Sequence, residues 1–297
     1  RRPPMQIRLT ARPPFSLAPV VLSHGWIRLL PFNEEPDHGG MSYIDQLSSG
    51  KVVELNVSEI PGGVTVDTSS DLSSTEQEEV SQKVSWMLGL EQDFSVFYAL
   101  AVKEPKLAHV VSKASGRMLR SPTLFEDVIK TILTTNTLWA ATKRMCANLV
   151  NQFGASLPDD PERKAFPTPA SLAATTESDL REETRLGYRA PYVLALGEQV
   201  ASGQLDLEAL KEADLPTPEL RKRLLKIKGV GPYAAATLLM LLGRYDDIPI
   251  DTWAFKLVSH EWYSGEPVGP AEVKAHFESW GEWKGLAYWL WDWSYQG

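Results

Sequence analysis

The sequence lacks the residues and segments that several classes of protein require. It has one cysteine, Cys146, in 297 residues, which excludes an internal disulfide and any zinc or iron–sulfur site built on several cysteines. Its five histidines do not show the spacing of a metal site. No apolar run approaches the roughly 20 residues that cross a bilayer. No apolar segment follows the basic start, Arg1–Pro4, so we expect neither a secretory signal nor a membrane partner.

The acidic balance of the chain hides a local excess of positive charge. The net charge is −8, which by itself argues against a polyanionic partner. Residues 220–232, however, hold five Lys or Arg and no acid, and residues 101–150 hold eight basic and three acidic side chains. Because a polyanion responds to the local field, these two segments keep nucleic acid among the expected partners.

The residue pattern changes from strand-like to helical along the chain. The first third is rich in β-branched residues and predicts strands at 7–10, 26–30, 52–57 and 64–66. From about residue 74 the apolar residues follow a helical period. We therefore expect an α+β protein, with a β-rich domain over 1–90 and a helical domain over 91–297.

Two helix starts and two loops are also predicted. Ser74–Gln77 has the pattern of a capping box, and Ser121 before Pro122 has that of a cap followed by proline at the first helical position. Clusters of Pro, Gly and acidic residues predict loops at 33–42 and 156–169.

A short segment between two helical stretches has the composition of a phosphate-binding turn. Gly229 and Gly231 allow a tight turn and a close approach to a ligand, and the helix that follows offers free N–H groups and the positive end of its dipole. Lys226 and Lys228 add positive charge at the same place. A plain helix–turn–helix corner with a glycine cap is the alternative interpretation, because short motifs of this kind often arise by chance.

The downstream sequence extends the motif. Together with Tyr245–Trp253, the turn resembles the helix-hairpin-helix, Gly/Pro-rich-loop, conserved-Asp (HhH-GPD) superfamily of DNA glycosylases. Leu133–Thr137 and Leu186–Tyr192 resemble two strand-invading segments of its 8-oxoguanine glycosylase branch. The resemblance implies an N-terminal antiparallel sheet domain, similar to the TATA-binding-protein fold, and then an all-α glycosylase core. In that core the hairpin spans 219–242, one lobe holds 91–118 and 236–297, and the other holds 119–235.

The resemblance also implies roles for individual residues. Asp251 corresponds to the catalytic carboxylate, which stabilises positive charge on the sugar and can orient water, although a helix cap is the alternative for this aspartate. Asn136, Tyr188 and Arg189 correspond to the residues that wedge into DNA when a base is flipped out, and Arg189 could also pair with a phosphate. The expected contacts to the DNA backbone are Lys226, Lys228, Gly229, Val230 and Gly231. A cation is expected on the backbone carbonyls of Leu225, Ile227 and Val230.

One substitution bears on the reaction and another on the substrate. Family members that also nick DNA use a lysine amine at the position of Tyr233, so lyase activity should be absent. The 8-oxoguanine branch carries an arginine five residues after its invading Asn, where this chain has Ala141. A pocket for cationic, alkylated bases would use aromatic rings, and the candidate pocket residues are Tyr233, Trp253, Trp139, His24, Tyr288 and Trp289. For most of these aromatics, core packing is the alternative.

These observations predict a monofunctional DNA glycosylase of base excision repair that is similar to the bacterial 3-methyladenine glycosylase II branch and acts on alkylated purines. The alternatives are an 8-oxoguanine glycosylase on the same fold and a non-catalytic DNA-binding module. The expected partner is double-stranded DNA with a damaged base. We expect no organic cofactor, no iron–sulfur cluster, a monomer, and a location in the bacterial cytoplasm at the nucleoid or in a nucleus.

Overall fold

The computed structural model describes residues 5–35 and 39–295. Close contacts divide the chain into two compact units. Unit 1 comprises the described residues up to Gln92 together with Arg117–Glu212, and unit 2 comprises Asp93–Gly116 and the described residues from Ala213 onward. The lobe boundaries expected from the sequence stay a prediction.

Unit 1 contains a five-stranded antiparallel sheet with the strand order β1-β5-β4-β3-β2. The central strands hold the most buried apolar residues, and Pro61–Gly63 makes the predicted tight connection between β4 and β5. The strands are β1 (Met5–Thr10), β2 (Phe32–Glu35), β3 (Gly40–Gln46), β4 (Val52–Ile60) and β5 (Gly63–Thr68).

Helices follow the sheet in unit 1, together with a small hairpin of β6 (Ser156–Leu157) and β7 (Asp160–Lys164). Helix α5 (Leu124–Thr134) buries ten of its eleven residues, and four of the ten are polar or charged, namely Glu126, Asp127, Lys130 and Thr131. The helices of this unit are α1 (Leu17–Val21), α2 (Ser74–Leu88), α5 (Leu124–Thr134), α6 (Trp139–Phe153), α7 (Pro169–Ala173), α8 (Glu177–Thr184) and α9 (Ala190–Ala201).

Unit 2 is helical in its described part. Phe97 is fully buried and packs its ring 5.5 Å from that of Trp283, which joins the N-terminal piece of the unit to its C-terminal piece. The helices are α3 (Ser95–Ala101), α4 (Ala108–Ser112), α10 (Thr217–Leu225), α11 (Pro232–Leu241), α12 (Thr252–Trp262), α13 (Pro270–Phe277) and α14 (Lys284–Leu290).

The α+β class and the order of sheet before helices are confirmed, but several local predictions are wrong. Residues 25–28 form a 3-10 helix, where a strand was expected, because Trp26 and Ile27 are both buried in one turn. The expected loop at 33–42 contains most of β2 and the start of β3, and its residues 36–38 lie outside the described residues. The expected loop at 156–169 contains the β6–β7 hairpin.

Both helix starts lie near the predicted positions but use other residues. The cap of α2 is Ser73, whose side chain accepts from the Glu76 N–H while the Glu76 carboxylate accepts from the Ser73 N–H. The cap of α5 is Thr123 and not Ser121. Within the described residues, no helix is long and apolar enough to cross a membrane.

A buried ion pair lies under the sheet of unit 1. Lys130 is fully buried and its Nζ lies 2.5 Å from Oε1 of Glu126, which is 1% exposed. The other Glu126 oxygen accepts a 2.5 Å hydrogen bond from the Tyr43 hydroxyl on β3. The ammonium also lies 4.5 Å from the centroid of the Phe32 ring. These contacts fasten α5 to two strands of the sheet.

Candidate functional site

Asp251 in unit 2 lies at the start of α12. Its backbone is extended, and Oδ1 accepts a 2.9 Å hydrogen bond from the Ala254 N–H, so the predicted cap is present. The residue is half-buried. Because the helix occupies one carboxylate oxygen, the negative charge is held in a fixed position at the positive end of the helix dipole.

The negative charge of Asp251 affects the pKa of two tyrosines, Tyr233 and Tyr288. Burial and then the Asp251 carboxylate raise the pKa of Tyr233 above its ordinary value. The pKa of Tyr288 is raised further, first by burial, then by Asp251 and by Tyr233. Both phenols are therefore neutral near pH 7. Tyr233 is 38% exposed and Tyr288 is 6% exposed, so Tyr233 is open to a ligand and Tyr288 is not.

A close backbone approach places Tyr288 near this carboxylate. Gly285, at the start of α14, donates a 2.6 Å hydrogen bond to the Tyr245 carbonyl. A Cβ at this position would overlap the Asp247 carbonyl oxygen. Asp247 is also fixed to α10, since its Oδ2 lies 2.5 Å from Arg221. The loop that leads into Asp251 is thus held between α10 and α14.

The other predicted aromatic residues of unit 2 are less closely linked to Asp251. Trp253 follows on the first turn of α12, is 42% exposed and packs against Tyr295, with ring centroids 5.5 Å apart. Trp289 is half-buried on α14. Their places in a pocket stay predictions.

The predicted hairpin of unit 2 joins α10 to α11 through a tight turn. Gly229 has φ +91°, and the Val230 N–H donates to the Ile227 carbonyl at 3.0 Å. Gly231 directly precedes α11 and offers no side-chain cap, which leaves first-turn N–H groups free for an anion. Lys226 and Lys228 are both exposed beside the turn. This geometry supports a phosphate-binding hairpin.

The same turn bears on the expected cation. Ile227 and Val230 are buried while Leu225 is 39% exposed. The last carbonyls of a helix have no partner within it, although the Ile227 carbonyl already accepts from the Val230 N–H, so the cation stays a prediction. The described residues contain no group of three or more His, Cys, Asp or Glu that could hold a metal, so backbone carbonyls would have to supply the ligands.

In unit 1, the turn between α5 and α6 carries the predicted wedge residue Asn136. Asn136 is exposed and has φ +48°, a conformation that asparagine tolerates better than most residues. Leu138, two residues later, is 81% exposed. An apolar side chain this exposed beside a predicted DNA wedge is a further candidate contact. Sequence reasoning missed it, because a leucine before a helix ordinarily indicates core.

The second predicted wedge in unit 1 is divided between an exposed and a buried residue. Tyr188 is 48% exposed, as a wedge requires, but Arg189 is 6% exposed. The Arg189 guanidinium donates to the Thr135 carbonyl and lies 4.4 Å from the centroid of the Tyr188 ring. The Arg189 charge is directed into the protein, and its place in the wedge and its contact with a phosphate stay predictions.

His24 and Trp139 lie on either side of Gly25 in unit 1. The His24 Nε2 is 2.6 Å from the Leu119 carbonyl, and burial lowers the pKa of His24 to about 4, so the ring is neutral and its Nε2–H donates. The Trp139 ring packs on Gly25, where an added Cβ would lie 2.5 Å from Cη2. Trp139 is nevertheless 37% exposed, so one part of the ring remains open to a ligand.

We predict that Gly25→Ala moves the Trp139 ring. The added methyl must displace Trp139, and overpacking of this kind costs about 1–3 kcal/mol of stability. Urea denaturation and tryptophan fluorescence of the native protein would measure both effects. In a Trp139→Ala background the same substitution should cost little stability. An equal loss of stability in both backgrounds would show that the methyl does not displace the Trp139 ring.

Asp127 holds the segment that carries His24 and Gly25. Its Oδ1 accepts from Trp26 Nε1 at 2.8 Å and from the Ser121 N–H at 3.0 Å, while Oδ2 is buried with no hydrogen-bond partner in the described structure. Burial raises the pKa of Asp127 to about 6. The folded protein therefore favours the protonated carboxyl more than the unfolded chain does.

The sign of the pH dependence follows from this shift. Both states are protonated below about pH 4, and stability is lost as the pH rises through about 6, by roughly 1.4 kcal/mol per unit of raised pKa. His24, with a lowered pKa, contributes in the opposite direction over the same range. We predict that wild type gains stability relative to Asp127→Asn when the pH falls from 7.5 to 4.5. Urea denaturation of both proteins at the two pH values isolates the carboxyl, and a constant difference would contradict the shift.

Comparison with known proteins agrees with this geometry. The HhH-GPD superfamily of base excision DNA repair proteins matches residues 129–282, more than half of the chain. The chain therefore belongs to the HhH-GPD superfamily.

Three glycosylases are similar to this chain. A DNA-3-methyladenine glycosylase of Bacillus subtilis (strain 168) is 27% identical over 189 residues, which is 63% of this chain and 62% of that protein. The structure of a 3-methyladenine DNA-glycosylase from Archaeoglobus fulgidus superposes with a TM-score of 0.75 at 21% identity, covering 96% of this chain and 97% of the other. An 8-oxoguanine glycosylase/lyase of Clostridium acetobutylicum, in complex with DNA, gives a TM-score of 0.71 at 24% identity, covering 98% and 97%.

Proposed function

We propose that this protein is a DNA glycosylase that flips a damaged base out of double-stranded DNA and hydrolyses its N-glycosidic bond, with alkylated purines as the preferred substrates. The observation that carries the proposal is the fixed Asp251 carboxylate with two neutral phenols within its field. The name of the Bacillus subtilis relative supports the same substrate class.

The reaction follows from these groups. As the bond between C1′ and the base breaks, the base leaves with the electron pair and positive charge develops on the sugar. The Asp251 carboxylate stabilises that charge, and water then forms the new bond to C1′ and releases one proton. A cationic alkylated base is attracted to the electron-rich face of the exposed Tyr233 ring. The hairpin N–H groups, with Lys226 and Lys228, hold the DNA backbone.

The test is a panel of duplexes that each carry one lesion, with the released bases identified by mass spectrometry. Release of 3-methyladenine or 7-methylguanine is the expected result. Release of 8-oxoguanine alone would keep the reaction and overturn the substrate class. Release of no base from any duplex would overturn the proposal and leave a DNA-binding protein.

We further propose that the enzyme is monofunctional. Tyr233 stands where a lyase would carry its amine, and a neutral phenol cannot form a Schiff base with the sugar. Product strands should break only after alkali, and borohydride should trap no covalent complex. Nicking without alkali, together with borohydride trapping, would show that another amine acts. A cation on the carbonyls of Leu225, Ile227 and Val230 is proposed to rigidify the hairpin.

A further inference from the structure

Arg189 is the only basic residue in the Leu186–Tyr192 segment, and its side chain is buried. One terminal nitrogen donates to the Thr135 carbonyl, and the other lies 3.9 Å from Sδ of Met145. Its Nε is buried with no hydrogen-bond partner in the described structure. The side chain is thus directed away from solvent, where a DNA phosphate would lie.

These contacts reach both turns that present wedge residues. Thr135 directly follows α5 and precedes Asn136, which has a positive φ. Tyr188 precedes Arg189 in the second turn, and its ring lies 4.4 Å from the guanidinium carbon. One buried cation therefore connects the Asn136 turn to the Tyr188 turn.

We propose that Arg189 is a positioning residue that fixes the two turns relative to each other, so that Asn136, Leu138 and Tyr188 enter DNA as one wedge. This inference rests on the proposed function, since it assigns the arrangement of the residues that fill the space left by a flipped base. A charge-assisted hydrogen bond to a buried carbonyl suits this role, because its loss would release the Thr135 end of the Asn136 turn.

A salt titration separates positioning from DNA contact. Each phosphate contact contributes about 0.9 to the slope of log affinity against log salt concentration. Arg189→Met should leave this slope unchanged, whereas Lys228→Met, at the exposed hairpin, should lower it by about 0.9. A fall of that size for Arg189→Met would overturn the proposal, because it would mean that the guanidinium binds a phosphate.

A mutant cycle tests whether Arg189 acts through the wedge. Arg189→Met should slow single-turnover base release about 10- to 100-fold, as expected for a small misplacement of aligned groups. In an Asn136→Ala/Tyr188→Ala background the same substitution should have little further effect, and Arg189→Lys should recover part of the loss. A full additional loss in that background would overturn the proposal.

Hydrogen exchange provides a readout that needs no activity. In the free protein, Arg189→Met should speed the exchange of backbone amides over 134–139, while those of the hairpin over 226–231 stay unchanged. Unchanged exchange over 134–139 would overturn the positioning role. If wild type released no base while the exchange result held, the proposed function would fail and the link between the two turns would stand.

Discussion

Replacing Asp251 by asparagine should lower the rate of base release about 100- to 1000-fold, the loss typical when one preorganised electrostatic group is removed from a transition state. Burial and then the Asp251 carboxylate raise the pKa of both Tyr233 and Tyr288, which shows that the negative charge of Asp251 acts on the groups around it. Asparagine is nearly the same size but neutral, so it cannot stabilise the cationic sugar. Single-turnover release from lesion DNA would measure the loss.

The structure makes this substitution unusually easy to interpret. Asp251 caps α12 through the Ala254 N–H, and asparagine caps helices about as well as aspartate does. The fold and the affinity for lesion DNA should therefore be retained. Asp251→Ala serves as the matched control, because it removes both charge and cap and should also cost about 1 kcal/mol of stability. Base release close to the wild-type rate by Asp251→Asn would exclude the catalytic role.

Lys130→Met, which keeps the size of the side chain and removes its charge, should lower the free energy of unfolding by about 3–5 kcal/mol, the largest loss of stability that we predict. Lys130 and Glu126 are 0% and 1% exposed. Removal of the ammonium leaves the Glu126 carboxylate with the Tyr43 hydroxyl as its remaining close polar partner in the described structure. A buried charge without its counter-charge is penalised by the whole cost of its desolvation. Urea denaturation would measure the decrease in the free energy of unfolding.

The double variant Glu126→Gln/Lys130→Met separates pairing from packing. It removes both charges and keeps an oxygen that can accept from Tyr43. Most of the lost stability should return, because replacing a whole buried pair is often nearly neutral. If the double variant is as unstable as Lys130→Met, the loss comes from the packing of the lysine stem against Phe32 and not from the charge.

The sequence predicted well where a short motif determines its own conformation. The Pro61–Gly63 turn fixes a hairpin because proline sets its own φ and Gly62 adopts a φ of +77°, which glycine does without steric cost. Gly229 and Gly231 behave likewise at the hairpin, and Asp251 caps α12 as expected. In each case the residues that decide the structure lie within a few positions of one another.

Predictions failed where distant residues decide the structure. Residues 25–28 adopt a 3-10 helix because Trp26 reaches Asp127, about a hundred positions away. The burial of Arg189 depends on the Thr135 carbonyl, which lies just after another helix. Neither partner could be identified from local periodicity. The exposure of Leu138 likewise depends on the absence of other segments packed against it. Local sequence patterns do not show which distant segments pack together.

The division of the chain also has a consequence for its synthesis. Asp93–Gly116 belongs to unit 2, yet the ribosome must make all of Arg117–Glu212 before the rest of that unit appears. At ordinary elongation rates this interval is on the order of ten seconds. During that time Phe97 has none of its final neighbours Trp280 and Trp283. Nascent chains of this protein should therefore expose an apolar segment over 94–110, to which chaperones can bind, until Trp280 and Trp283 have been synthesised.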